Sequence, residues 1–247
     1  MNKETEGFSH HISQQFNAEL EEIRTLLLEM GGLVEKQIND AVNALVSGDG
    51  ELAEKVRDSD QAVNRMELQI DDECLRILAR RQPAASDLRL VMSINKIIVD
   101  LERIGDEASK IAKRALQLVD EGQAPRGYVE CRHIGAHVRK MVQDSLDAFA
   151  RLDSDQAFAV AREDKIVDQE YKTAMRELVT YMMEDPRSIG RVLNVLWVLR
   201  SLERVGDHAR NIAEQVIYLV IGRDVRYQGL KQMEATLQDD HDKGSQA

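Results

Sequence analysis

The 247 residues are 43% hydrophobic and 31% charged, with only three prolines and 4% aromatics, a balance that suits long helices and excludes an all-β sandwich or barrel. Asp and Glu outnumber Lys and Arg by 44 to 33, a formal charge of −11, so no overall basic field exists to hold a phosphate backbone and no nucleic-acid partner is expected. No apolar run reaches the ~18 to 20 residues of a membrane span, the start MNKETEGFSHH lacks a signal-peptide core, and two cysteines, Cys74 and Cys131, are too few for a disulfide framework; together these predict a cytoplasmic protein.

His10 and His11 fall in a lead-in expected to be unstructured and take no role. Leu20, Ile23, Leu27, Met30 and Val34 then recur at steps of three and four, predicting a helix that buries one stripe and stops at Ser47, Gly48, Asp49 and Gly50. Gly31 and Gly32 inside it read as a close-packing contact, because no glycine-rich phosphate-loop motif occurs in the chain. Leu52, Val56, Val63, Met66, Ile70 and Ile77 form the seam of a second helix, ended by the Gln82-Pro83 step. Ser86 or Asp87 can cap the third, whose seam runs from Leu90 through Ile94, Ile97, Leu101, Ile104, Ala108 and Ile111 to Leu118. A linker with Gly122, Pro125 and Gly127 follows at 120–127, and the cycle restarts with helices predicted at 128–152, 155–183 and 188–221. The last has Val195, Val198, Leu202, Val205, Ala209, Ile212, Val216 and Leu219 on its seam, while the polar stretch 239–247 is expected to fray.

The restart is an internal repeat. LERIGDEASKIA at 101–112 and LERVGDHARNIA at 202–213 share eight of twelve positions, and at an offset of 104 Gly31 pairs with Gly135, Val34 with Val138, Asp49 with Asp153, Asp60 with Asp164 and Val63 with Val167. The predicted fold is therefore all-α: two tandem antiparallel three-helix bundles related by a pseudo-twofold axis. The first occupies 1–121, the second 122–225, and a partly disordered C-terminal tail 226–247. Leu193, Leu196 and Leu199 lie outside the main seam of the last helix, an apolar surplus that predicts a homodimer.

Candidate chemistry concentrates on the third helix of each half. Glu102 and Asp106 lie one turn apart on the side away from the predicted core, with Gly105 between them, and Glu203, Gly206 and Asp207 repeat the arrangement. Like charges at that spacing repel and an interior glycine weakens a helix, so the pattern costs stability twice. One reading is a divalent cation, Mg²⁺, Ca²⁺, Mn²⁺ or iron, held by hard oxygens with room above the glycine. Asp60 and Asn64, and Asp164 and Asp168, again four apart on the second helices, are the completing ligands in that reading. The other reading is surface ion pairing of Arg103 with Asp106 and Arg204 with Asp207, the glycines allowing a neighbouring helix to approach. Cys131, His133 and His137 form a further zinc candidate without counterpart in the first half; Glu130-x-x-His133 alone is half of a di-iron pattern, and an exposed polar face is the competing reading. No nucleophile stands beside a histidine base, so a non-enzymatic protein is expected.

LERIGD and LERVGD, one on the third helix of each repeated three-helix unit, resemble the signature of the PhoU family of phosphate-signalling regulators, over about residues 20–221. The resemblance implies a cytosolic negative regulator of the phosphate-starvation response. Such a protein is an adaptor coupling the phosphate-specific ABC transporter, through its PstB-like ATPase, to a PhoR-like sensor histidine kinase, and it modulates phosphate uptake. Membrane association would then be peripheral and only through these partners. It also implies dimers and divalent metal, magnesium, manganese, iron or zinc, at the acidic motifs: Glu102, Asp106, Glu203 and Asp207, with Asp60, Asp164 and Asp168 as matching acids. Asn64 departs from that pattern by supplying a neutral oxygen. The alternative functions are a metal-handling bundle without a signalling role and a purely structural bundle.

Overall fold

The computed structural model describes the backbone of residues 3–122, 124 and 126–244, and within them the side chains of 14–240 and of Asp242. In chain order the elements are α1 (Lys3–Ser47), α2 (Gly50–Arg81), α3 (Ala85–Glu121), α4 (Tyr128–Arg151), α5 (Ser154–Glu184), a 3-10 turn (Pro186–Ser188), α6 (Ile189–Ile221) and α7 (Leu230–Gly244). No strand occurs among the described residues, and no helix among them is long and apolar enough to cross a membrane.

Equivalent residues start equivalent helices. Asp49 accepts a hydrogen bond from the Leu52 N–H at the head of α2, and Asp153 accepts from the Asp155 and Gln156 N–H groups at the head of α5, each satisfying donors that the helix leaves free. The Gln82-Pro83 step does end α2, with Gln82 in the left-handed region at φ 50°. The cap of α3 differs from the sequence expectation: it is Ala84, with no side-chain bond, and Ala85 adopts φ 48°, so Ser86 and Asp87 already lie inside the helix. The helix α1 reaches back to Lys3, through the expected unstructured lead-in; the His10 and His11 side chains lie outside the described set, as does Pro125 of the linker. A seventh helix stands where only a tail was expected, with Met233 and Leu237 buried where α7 meets α5.

The helices α1, α2 and α3 pack on one another, as do α4, α5 and α6, and the two triplets join through α1 on α4 and α3 on α6. One apolar core runs through both. The joint is reciprocal: a Cβ on Gly31 would lie 2.4 Å from Leu146 Cδ1, and one on Gly135 would lie 2.8 Å from Val42 Cγ2. Positions 31 and 135 correspond in the repeat, and so do 42 and 146, so each half offers the other the same contact, as in an isologous dimer interface written in one chain. The central helix α6 is covered nearly all round: every residue of its predicted seam is buried, and so are Val192, Leu199, Ala213 and Ile217. Leu199 therefore belongs to the core and Leu196 is half-buried, which leaves Leu193 as the exposed member of the trio that suggested a dimer.

Candidate functional site

The mid-helix glycines bring the third helix of each half down onto its neighbours. Both are buried; a Cβ on Gly105 would lie 3.1 Å from Gln37 Oε1 and 3.4 Å from Val63 Cγ1, and one on Gly206 would lie 3.4 Å from Val167 Cγ1. The glycines thus serve close helix approach, and the space above them is filled by protein. The same approach sets the acids of the third helix beside those of the second, so Glu102, Asp106 and Glu203 are partly or wholly covered at a helix–helix boundary, while Asp207 stays exposed.

In the first half Glu102, Asp106, Asp60 and Asn64 are all half-buried. Burial raises the pKa of Glu102, and the carboxylates of Asp106, Glu67 and Asp60 raise it further. Burial also raises that of Asp60, with Asp106 adding to the effect. Asp60 Oδ1 and Asn64 Oδ1 are buried without a hydrogen-bond partner. Lys110 stands 3.9 Å from Asp106, though closer to Glu107 at 3.0 Å, and Arg103 partly offsets the rise at Glu102. In the second half Glu203 is 9% exposed, one oxygen held by Arg200 at 2.5 Å and Oε2 buried without a partner. Its pKa is raised by burial and then by Asp207. Asp207 reaches solvent on one side, yet the protein crowded around it, followed by Asp164 and Asp168, raises its pKa too. Asp164 is engaged by Arg210 at 3.0 Å and Asp168 by Lys172 at 3.5 Å.

Along two equivalent helix pairs the acids among the sequence candidates lie within electrostatic reach of one another, and the two sets differ in how far protein cations already compensate them. Neither Arg103–Asp106 nor Arg204–Asp207 forms an ion pair among the described residues; Arg204 Nε instead reaches across to Glu107 Oε1 at 3.2 Å. The donors are oxygens, and the orphaned buried atoms Asp60 Oδ1, Asn64 Oδ1 and Glu203 Oε2 suit a hard divalent cation. Among the described residues no group of three or more His, Cys, Asp or Glu side chains is assembled to hold a metal ion, so ligation requires side chains to turn toward one another.

Glu67 joins the first cluster although the repeat does not point to it. It stands seven residues after Asp60, on the same helix face, but position 171 in the second half is Tyr, so duplication gives no hint of it. The zinc candidate is taken apart. Cys131 is wholly buried and burial pushes its thiol pKa up, whereas His133 and His137 point to α5. There Glu170 bonds His133 Nε2 and His137 Nδ1, both at 3.1 Å, and Glu163 bonds His137 Nε2 at 2.9 Å. Burial opposes charging His137, but the two carboxylates outweigh it and its pKa is raised.

A duplicated all-α chain with an acid-x-x-x-acid pair on the third helix of each unit is the class of protein that this fold and these clusters define. The PhoU domain model matches residues 27–115 and 131–216, and the chain belongs to that family. A phosphate-specific transport system accessory protein PhoU homolog from Pseudomonas putida is 70% identical over 233 residues, 94% of this chain and 91% of the relative. Among solved structures, PhoU from Pseudomonas aeruginosa is 71% identical with a TM-score of 0.83, covering 84% of this chain and 100% of that one. The phosphate transport system regulatory protein PhoU from Streptococcus pneumoniae is 35% identical, with a TM-score of 0.79 and coverage of 85% and 99%.

Proposed function

We propose that the chain regulates phosphate transport as a non-enzymatic cytoplasmic adaptor, holding the phosphate-starvation response off by contact with a phosphate ABC transporter ATPase and a sensor histidine kinase. The observation that carries this reading is the 70% identity, over 94% of the chain, to a relative named for accessory action in phosphate-specific transport. The acidic surface suits basic cytosolic faces of membrane complexes, and the two similar halves suit engagement of two partners. To shift a kinase between states the adaptor must bind those states unequally, since an equal-affinity binder moves no equilibrium. The last exposed leucine of the α6 trio, Leu193, with Ile189 and Trp197 beside it on the same helix, supports pairing of two copies.

Glu102, Asp106, Asp60 and Asn64 in one half, and Glu203, Asp207, Asp164 and Asp168 in the other, hold divalent cations in this reading. The ion would neutralise carboxylates that now repel and lock α3 to α2 and α6 to α5. Oxygen donors favour magnesium or manganese over zinc. The test of the adaptor is affinity capture of the tagged chain from cytosol and from membrane extract. Recovery of the transporter ATPase and the kinase is the expected outcome. Recovery of neither, alongside saturable metal binding, would favour a metal-handling bundle without a signalling role.

A further inference from the structure

Between α3 and α6 runs an open groove of about 720 Å³, whose third wall is the segment after α6, through Arg226 and Tyr227. Arg103 and Arg204, equivalent in the two halves, both line it, so the groove reaches the pseudo-twofold axis at one end. Five cationic side chains face it, Lys96, Arg103, Arg204, Arg210 and Arg226, against three carboxylates, in a chain whose overall charge is −11. Two of those carboxylates are already bonded by other groove residues. Asp100 accepts from His208 Nδ1 at 2.8 Å and from Asn211 Nδ2 at 3.1 Å, and Glu214 accepts from Arg210 Nε at 3.0 Å.

A departure from symmetry leaves one cation uncommitted. Arg204 reaches Glu107, and by the repeat position 103 corresponds to 204 as position 107 corresponds to 208. Twofold symmetry thus sets Arg103 opposite His208, which is no acid and is tied to Asp100. Arg103 is exposed, with Glu102 beside it as a neighbouring charge, and makes no hydrogen bond or ion pair among the described residues. Arginine forks match phosphoryl oxygens in shape and charge; beyond Arg103 and Lys96, the groove cations Arg204, Arg210 and Arg226 are paired with Glu107, with Asp164 and Glu214, and with Asp224, so a second phosphoryl group would engage them by exchange of those ion pairs. Tyr227, 98% exposed at the rim, adds a ring face on which a base can stack.

We propose that this groove binds a small ligand carrying two or more linked phosphoryl groups. Binding belongs to the isolated chain and is independent of the adaptor role, so the two readings fail separately. The test is calorimetric titration of the full chain, in EDTA to exclude a cation bridge through Asp207, with pyrophosphate, ATP and inorganic phosphate as probes. Saturable binding of pyrophosphate or ATP is expected, with inorganic phosphate at least roughly tenfold weaker. Arg103→Ala and Lys96→Ala should each weaken it by roughly tenfold. Lys55→Ala, an exposed cation on α2, should leave it unchanged. ATP binding more tightly than pyrophosphate would assign a nucleotide, and equal affinities would assign the phosphoryl chain alone; either supports the site. No saturable binding of either up to ~1 mM would overturn the proposal, and so would binding that both groove variants leave intact.

Discussion

Glu203 is enclosed on nearly every side, and its orphaned Oε2 makes it the clearest case of a carboxylate that the fold holds at a cost. Its pKa is raised by burial and by Asp207 from an ordinary 4.5. Such a group binds more protons folded than unfolded between its two pKa values, so it destabilises the fold above the raised value, and that cost disappears as pH falls through it toward 4.5. Without divalent cations, Glu203→Gln should therefore raise the melting temperature at pH 7, by about 2–4 °C per kcal/mol recovered, and raise it less near pH 4. Thermal melts at the two pH values check this; an unchanged or lower melting temperature at pH 7 would contradict it. Mn²⁺ titration gives a second check, because saturable binding by the native chain should weaken in the Glu102→Ala, Glu203→Ala double variant. His137 has the opposite sign. Its raised pKa means that stabilisation by Glu163 and Glu170 is complete below the ordinary 6.5 and lost as pH rises through the raised value. His137→Ala should consequently destabilise more at pH 6 than at pH 9. Glu102, Asp106, Glu203 and Asp207 were legible because the repeat wrote them twice. Glu67, Glu163 and Glu170 were not, since each becomes a partner only through a neighbouring helix and none has a matching acid in the other half.

At the scale of the helix, adjacent glycines in α1 have opposite roles. Gly31 faces Leu146 at a distance no real Cβ can share, whereas Gly32 has nothing within 4 Å of the same position. Gly31→Ala should destabilise by about 1–3 kcal/mol through overpacking, and Gly135→Ala, its equivalent against Val42, should do likewise. Gly32→Ala should stabilise by up to about 1 kcal/mol, because it adds helix propensity in open space. Denaturant melts of the three variants measure all of these; equal effects of Gly31→Ala and Gly32→Ala would refute the close contact of α1 with α4. Helix positions followed readily from the apolar period, and the Asp49 and Asp153 caps from short polar breaks. Two features did not. The cap of α3 depends on a positive φ at Ala85, which no residue type there advertises. In α7 only Met233 and Leu237 among its described side chains become buried, too sparse a stripe to read before α5 is in place.

The two halves behave as one body because each supplies what the other lacks: Gly31 receives Leu146, Gly135 receives Val42, and Arg204 receives Glu107. The pseudo-twofold was visible in the repeat offsets, but the groove beside its axis was not, because it depends on which equivalent positions diverged, Glu107 against His208 above all. Regulation by contact requires an intact fold with partner surfaces in place, so charge reversals that abolish partner capture while leaving the melting temperature unchanged should reproduce the loss of the whole protein. The most direct measurement is expression of phosphate-starvation genes in phosphate-rich medium after deletion of the gene for this chain. The adaptor function predicts that those genes switch on despite abundant phosphate and are silenced again by the restored chain; normal repression in the deletion strain would contradict it.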